Sequence, residues 1–211
     1  MHSLKFIFFS LLLFCLDAKA QESFLIEQLH EKYHNINYYQ ADFRQSKNVS
    51  YISKPLITTG QLEFAVGLGL IWEIKEPLWT KTLINKEGVF KTTKYHKNQK
   101  VKDMQIKVIA EIMTELLTAN LDKVESKFEL LVLHKGDAQD PWQVQLKPKG
   151  TLMKKALLKI ILKGQPADDK IKSGIAQIII IDQAQNVTTL SLQEKILQKG
   201  SLSPSLRQHF E

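Results

Sequence analysis

His30-Glu31-Lys32-Tyr33-His34 is the string in this sequence whose spacing could do chemistry. On a helix, histidines four residues apart share a face, and a glutamate beside the first can act as a general base. That is the H-E-x-x-H pattern of zinc peptidases. Three features of the surrounding sequence argue for a solvated helix face instead. No H-x-x-G-x-x-H extension or downstream helical glutamate supplies a third ligand. The string begins ten residues into the expected mature chain, where a peptidase would still need an upstream scaffold. Leu29 and Tyr33 give the same helix an apolar stripe. Elsewhere there is no G-x-S-x-G elbow, and His96 and His134 have no serine–acid pairing. The sequence therefore assigns no catalytic residue, no metal ligand and no cofactor, and the chain reads as a non-enzyme.

The elements that would position such groups begin with a leader. Lys5 precedes the apolar run Phe6 to Leu16, and Ala18-Lys19-Ala20 closes it with small residues three and one before Gln21. This is the pattern of a secretory signal peptide over residues 1–20, with a run too short to span a bilayer of about 30 Å. Phe14 stands where lipoprotein processing at Cys15 would want a small residue. Of 211 residues, 44% are hydrophobic and 24% charged, with a single cysteine, Cys15, inside that leader. The mature chain, 21–211, thus has no thiol for nucleophilic catalysis or metal binding. The length suffices for one core, and no linker, repeat or low-complexity block divides it. The formal net charge of +7 comes from scattered lysines, which fit mild attraction to anionic head groups better than nucleic acid. The lysines from Lys94 to Lys107 read first as a solvated face and second as a surface for membrane or exporter docking.

Periodicity supplies the rest. Ser23 to Tyr33 spaces Phe24, Leu25, Leu29 and Tyr33 as an amphipathic helix. Tyr39 to Gln45, Gly60 to Val66 and Leu70 to Ile74 alternate as strands with one buried face. Alternation puts Leu62 and Phe64 inward and Gln61 and Glu63 outward. On that reading Phe64→Glu should damage the protein and Glu63→Lys should not. Thr80 to Asn85 and Val89 to Thr93 form a hairpin. Ile106 to Leu121 switches to a helical stripe, Ile109, Ile112, Met113, Leu116 and Leu117, with Glu111, Thr114 and Glu115 on the opposite side. Strands return at Phe128 to His134, Trp142 to Leu146, Leu157 to Leu162, Ile175 to Ile181 and Val187 to Leu192. Leu158, Ile160 and Leu162 fall on one face, with Lys159 on the other. The fold class is α+β, a long antiparallel meander with two helices.

Ala41-Asp42-Phe43-Arg44-Gln45, Gly60-Gln61-Leu62-Glu63-Phe64, Leu70-Ile71-Trp72-Glu73 with Glu76-Pro77, and the hairpin Thr82-Leu83-Ile84 to Gly88-Val89 together resemble the LolA-like family of periplasmic lipoprotein carriers. The resemblance covers most of the mature chain and rests on strand patterns. It implies a strongly curved antiparallel sheet, an unclosed barrel, covered by helical lids. Its apolar interior would shield the acyl chains of a lipid or lipidated cargo on the way from inner to outer membrane. The implied lining is Phe43, Leu62, Phe64, Trp72, Leu158 and Ile160, and the implied lid helix carries Ile109 to Leu117. The implied partners are an inner-membrane exporter and an outer-membrane acceptor; the basic charge adds transient anionic membrane contact and no nucleic acid, and a monomer is expected. The family's arginine–proline pair, six and seven residues after the leading glycine of the second strand, is replaced here by Val66-Gly67. That departure points towards the shorter LolA-like subgroup that accompanies acyl or polyene lipid pathways. Two alternatives stand beside this reading: an accessory lipid-binding module for a neighbouring acyl or glycosyl transferase, and a zinc metallopeptidase using His30 and His34.

Overall fold

The structure, a computed structural model, describes residues 29, 32–101, 104–118, 120–136, 140–165 and 174–210. The leader expected over 1–20, and His30 and Glu31 of the histidine string, lie outside the described residues. Alternating sequence becomes strand as expected in β1 (Ile36–Asn48), β2 (Leu56–Ala65), β3 (Gly69–Glu76), β4 (Thr80–Asn85) and β5 (Gly88–Thr93), and the two-residue β6 (Gln99–Lys100) is added within the lysine-rich segment read as a solvated face. The stripe read over Ile106 to Leu121 falls within one helix, α1 (Met104–Leu117), and a second short helix, α2 (Leu121–Lys127), follows it. The second half adds β7 (Phe128–His134), β8 (Gln143–Pro148), α3 (Thr151–Ala156), β9 (Leu157–Gly164), β10 (Ile175–Asp182), β11 (Val187–Lys199) and α4 (Pro204–Gln208).

The strands form one antiparallel sheet in the order β6-β5-β4-β3-β2-β1-β11-β10-β9-β8-β7. Every hydrogen-bonded neighbour is also a neighbour in sequence except β1 and β11, whose long ladder joins the two halves. The edge strands β6 and β7 do not pair, so the sheet is not closed into a barrel. The chain passes from one free edge to the other through α1 and α2. Flat, eleven strands would span roughly 50 Å at about 4.8 Å each, a width at which sheets curl rather than stay open.

Each face has its own core. The larger takes Phe43, Leu62, Phe64, Leu70 and Trp72 from the β1–β3 arm, and Val144, Leu146, Ile160, Leu162 and Ile178 from the β8–β10 arm. It also takes Ala110, Ile112, Met113, Leu116 and Leu117 from α1. Leu29 and Tyr33 of the N-terminal helical segment are buried in it. Tyr33 is fixed there by a 2.9 Å hydrogen bond from the Ile175 amide to its hydroxyl, and Lys32 pairs with Glu194 at 3.0 Å. On the other face Tyr38, Ala65 and Ile71 pack with Leu202 and Phe210. Ser203 opens α4 there: its hydroxyl accepts from the Leu206 amide at 3.2 Å, and Pro204 occupies the first turn. Among the described residues, no helix is long and apolar enough to cross a membrane.

Candidate functional site

The apolar surface under α1 is built by cross-strand rows. Register sets Leu62 opposite Trp72 and Phe64 opposite Leu70, so four large side chains share one face of β2 and β3. Phe43 of β1 lies opposite Gly60, and its ring reaches that of Trp72 at 4.8 Å between centroids. Glycine is needed at 60 because the backbone of β3 pinches inward at a register shift, and a Cβ would run into the Glu73 carbonyl oxygen. Over this floor lie Ile112, Met113, Leu116 and Leu117, all buried. Covering side chains of this size is worth roughly 1.5–3 kcal/mol each.

The cover is incomplete at one end. A pocket of about 330 Å³ opens between the β2–β3 turn, the end of β4 and the side of α1. Its floor is apolar, with Phe64, Leu70 and Ile84, and its α1 wall runs from Ala110 to Thr118. Its mouth is polar, with Lys86, Asn120 and Lys123. Gly67 and Gly69 form the turn with positive φ of 75° and 137°. A Cβ at Gly69 would strike the Ile84 carbonyl oxygen, so glycine lets β3 and β4 meet where the pocket begins.

One of the charged groups lining the pocket is itself buried. Glu115 lines the pocket and is only 7% exposed. One carboxylate oxygen accepts from Lys127 at 2.7 Å, and the other is buried without a hydrogen-bond partner among the described residues. Lys127 also reaches Glu111 at 3.2 Å. Burial lowers the Lys127 pKa, but the hydrogen bonds and charges of Glu115 and Glu111 outweigh it, so the net shift is upward. The helical pattern places Glu115 on an exposed face. It is buried because the chain turns back after Leu117 and α2 brings Lys127, twelve residues on, over it. Nothing in the local spacing announces that pair.

The expected lining residues are placed unequally. Phe43, Leu62, Phe64, Trp72 and Ile160 are buried in the larger core, and Phe64 also lines the pocket. Leu158 is a correction: it is 37% exposed, and Leu157 is buried in its stead. The ladder to β10 shifts register between Ile181 and Asp182, so inward alternation fails at the start of β9. Ile112, Met113, Leu116 and Leu117 of the expected helix stripe face the sheet, while the Ile109 side chain lies outside those described. Val66, standing where the family has arginine, is 39% exposed just beyond β2.

Glu63 is the second correction. Read as solvent-facing, it is 7% exposed on the smaller core's side. Tyr38 donates to it at 2.6 Å and His209 at 3.2 Å. The sequence signal for this cover is Ser203-Pro204, a helix start by its N-cap serine and first-turn proline. His34 is exposed and its Nε2 accepts from the Asn35 side chain at 2.8 Å. Among the described residues no cluster of three or more His, Cys, Asp or Glu could hold a metal ion.

No family model and no curated protein sequence matches this chain. Its structure is similar to that of a LolA superfamily protein from Nitrosomonas europaea, at 11% identity and a TM-score of 0.48, covering 90% of this chain and 96% of that one. It is similar to a protein described as an outer membrane lipoprotein-sorting protein domain from Vibrio parahaemolyticus, at 11% identity and a TM-score of 0.48, covering 91% and 97%. A DUF1329 family protein from Desulfovibrio piger follows at 10% identity and a TM-score of 0.47, covering 92% and 97%.

Proposed function

We propose that this protein is a periplasmic carrier that shields the acyl chains of a lipid or lipidated cargo between the inner and outer membranes. On this reading residues 1–20 direct export and are removed, 21–211 form the carrier domain, α1 serves as its lid, and no catalytic role is involved. The observation that carries it is the apolar face of an unclosed sheet, covered in part by α1 and opening at the end of that helix's cover into a pocket floored by Phe64, Leu70 and Ile84. The strand motifs and the leader support the same reading.

The energetics make exchange feasible. A pocket of about 330 Å³ is at the lower end of the range for small-molecule sites, roughly 300–1,000 Å³, so a whole acyl chain must displace part of α1. Ten methylenes taken from water return about 8 kcal/mol. Uncovering the four α1 side chains costs a similar amount. Cargo and helix therefore compete for one surface on nearly equal terms, as a carrier that must also release requires. With Val66 in place of arginine, α1 is held to the sheet by apolar contact rather than a tether from that strand, which favours free acyl or polyene lipids over a lipoprotein.

The test is uptake of a fluorescent fatty acid by the purified protein and by Thr114→Trp. Thr114 is half-buried on the pocket wall, so an indole there fills the pocket while leaving the stripe below untouched. Saturable uptake that falls at least tenfold in the variant, with unfolding midpoints unchanged, is expected. No uptake by the wild type, or equal uptake by both, overturns the proposal. Growth of a lipoprotein-carrier depletion strain on this protein would reject the acyl-lipid preference alone.

A further inference from the structure

The end of the sheet remote from the pocket carries exposed apolar side chains that the topology gathers from three separate loops. β1 ends at Asn48 and β2 begins at Leu56; β3 ends at Glu76 and β4 begins at Thr80; β5 ends at Thr93. The ladders Lys47↔Leu56, Thr59↔Glu76, Ile74↔Thr80 and Thr80↔Thr93 put all of these termini at the same end. The β1–β2, β3–β4 and β5–β6 loops therefore stand in a row, roughly 10 Å apart at twice the strand spacing. They present Tyr51 and Tyr95, more than four-fifths exposed, Leu78 at 78%, and Ile52, Leu56 and Trp79 at 39–50%. Single exposed apolar residues need no explanation, but a row from three loops does.

Its chemistry is that of a membrane interface. Tyrosine and tryptophan are the residues that settle at head-group level. The Trp79 indole N–H donates to Glu73 at 2.7 Å, so its polar edge is satisfied while the ring stays partly exposed. Lys54, Lys75, Lys94 and Lys97 are exposed in or beside the same loops, against one exposed carboxylate, Glu76, that is not engaged by Trp79. We propose that this rim docks the protein on an anionic phospholipid surface, with Leu78 and Trp79 seated among the head groups and the four lysines over the leaflet. The charge excess selects a bilayer over an acidic protein patch, because lysines spread over separate loops attract a diffuse negative surface without needing matched partners. The docking rim is independent of the cargo reading.

The three tryptophans make the test direct. Trp72 and Trp142 are buried at 4% and 3% exposure, so accessible tryptophan fluorescence reports Trp79. The purified protein is mixed with phosphatidylglycerol-containing vesicles and with pure phosphatidylcholine vesicles. Co-sedimentation with the anionic vesicles alone, a blue shift of the emission and quenching by brominated acyl chains are expected. Each lysine near an anionic surface multiplies partitioning by about fivefold, so Lys54→Glu/Lys94→Glu/Lys97→Glu should reduce it by more than a hundredfold. Leu78→Asp should remove the blue shift. Both variants should keep wild-type uptake of fatty acid measured without vesicles, which separates failure of docking from failure of the carrier reading. Absence of vesicle binding, as a protein docking partner would give, or binding indifferent to both variants overturns the proposal.

Discussion

Tyr38 and Glu63 meet at 2.6 Å on the face of the sheet turned away from α1, where a buried carboxylate takes the tyrosine hydroxyl and anchors the C-terminal helix through His209. Adjacent residues on two strands thus serve opposite cores: Tyr39 and Phe64 inward, Tyr38 and Glu63 outward. A two-faced strand does not have to leave one face in water.

Tyr38→Phe should therefore lower stability by about 1–3 kcal/mol, the range for a buried acceptor losing a partner. Glu63→Lys, which sets a cation in the same buried place with no acceptor prepared for it, should cost more than either Tyr38→Phe or His209→Ala. Urea unfolding of the three variants checks the order. A harmless Glu63→Lys would contradict the observed burial.

Removing the charge at Glu115 should improve the pocket for apolar ligands. Glu115→Gln keeps the shape, and it eliminates a carboxylate whose second oxygen has no partner among the described residues, beside the proposed acyl path. A fatty acid, itself anionic, should bind about threefold to tenfold more tightly, since relief of one like-charge contact is of order 1 kcal/mol. Titration of the two proteins with the same fluorescent fatty acid decides it. Weaker binding in Glu115→Gln would mean that the carboxylate contacts the ligand favourably.

The two glycines of the β2–β3 turn should respond differently to alanine. At Gly67 nothing lies within 4 Å of an added Cβ, so only the positive φ is penalised, by about 1–2 kcal/mol. At Gly69 the Ile84 carbonyl also blocks the methyl, and β3 must part from β4. Thermal unfolding should show a small loss for Gly67→Ala and a loss at least twice as large for Gly69→Ala, with the pocket distorted only in the latter.

Stability should fall at alkaline pH. Burial, above all, holds the hydroxyls of Tyr33 and Tyr39 well above the usual tyrosine range. Burial and the hydrogen bond to Glu63 do the same for Tyr38, and Lys127 is raised by its two carboxylates. All four keep their protons in the folded chain after the unfolded chain has begun to lose them near pH 10. The folded state then binds more protons, so stability declines with rising pH, by up to about 1.4 kcal/mol per pH unit for each group. Urea midpoints should be flat from pH 7 to 9 and drop above 10, less steeply in Tyr38→Phe.

How much of this was legible depends on the range over which each feature is determined. Strand positions follow from local alternation, and β4, β5 and β7 match the pattern within a residue. The α1 stripe was readable because Ile112, Met113, Leu116 and Leu117 lie at helical spacing. Leu158 was misassigned because period-two extrapolation cannot register a bulge, which is set by the partner strand. Glu63 and Glu115 were misassigned for a different reason. Each is a polar residue on a face covered by another element, α4 from the far end of the chain in one case and α2, folded back just after Leu117, in the other. Only the N-cap signal at Ser203-Pro204 was there to be read.

The path of the chain from β6 to β7 sets a limit on girth. The two unpaired edges are joined by α1 and α2, so they form a strap across the seam as well as a cover over the core. While its helix remains wound, the strap's fourteen-residue α1 keeps a length of roughly 20 Å, at about 1.5 Å per residue. Swelling of the interior must be taken up by the loops at its ends before it can unwind a helical turn. A slender chain can then be accommodated by tilting the strap, whereas a bulkier load has to break helical hydrogen bonds. On the proposed carrier reading, cargo thickness, more than cargo length, would be the quantity this architecture measures.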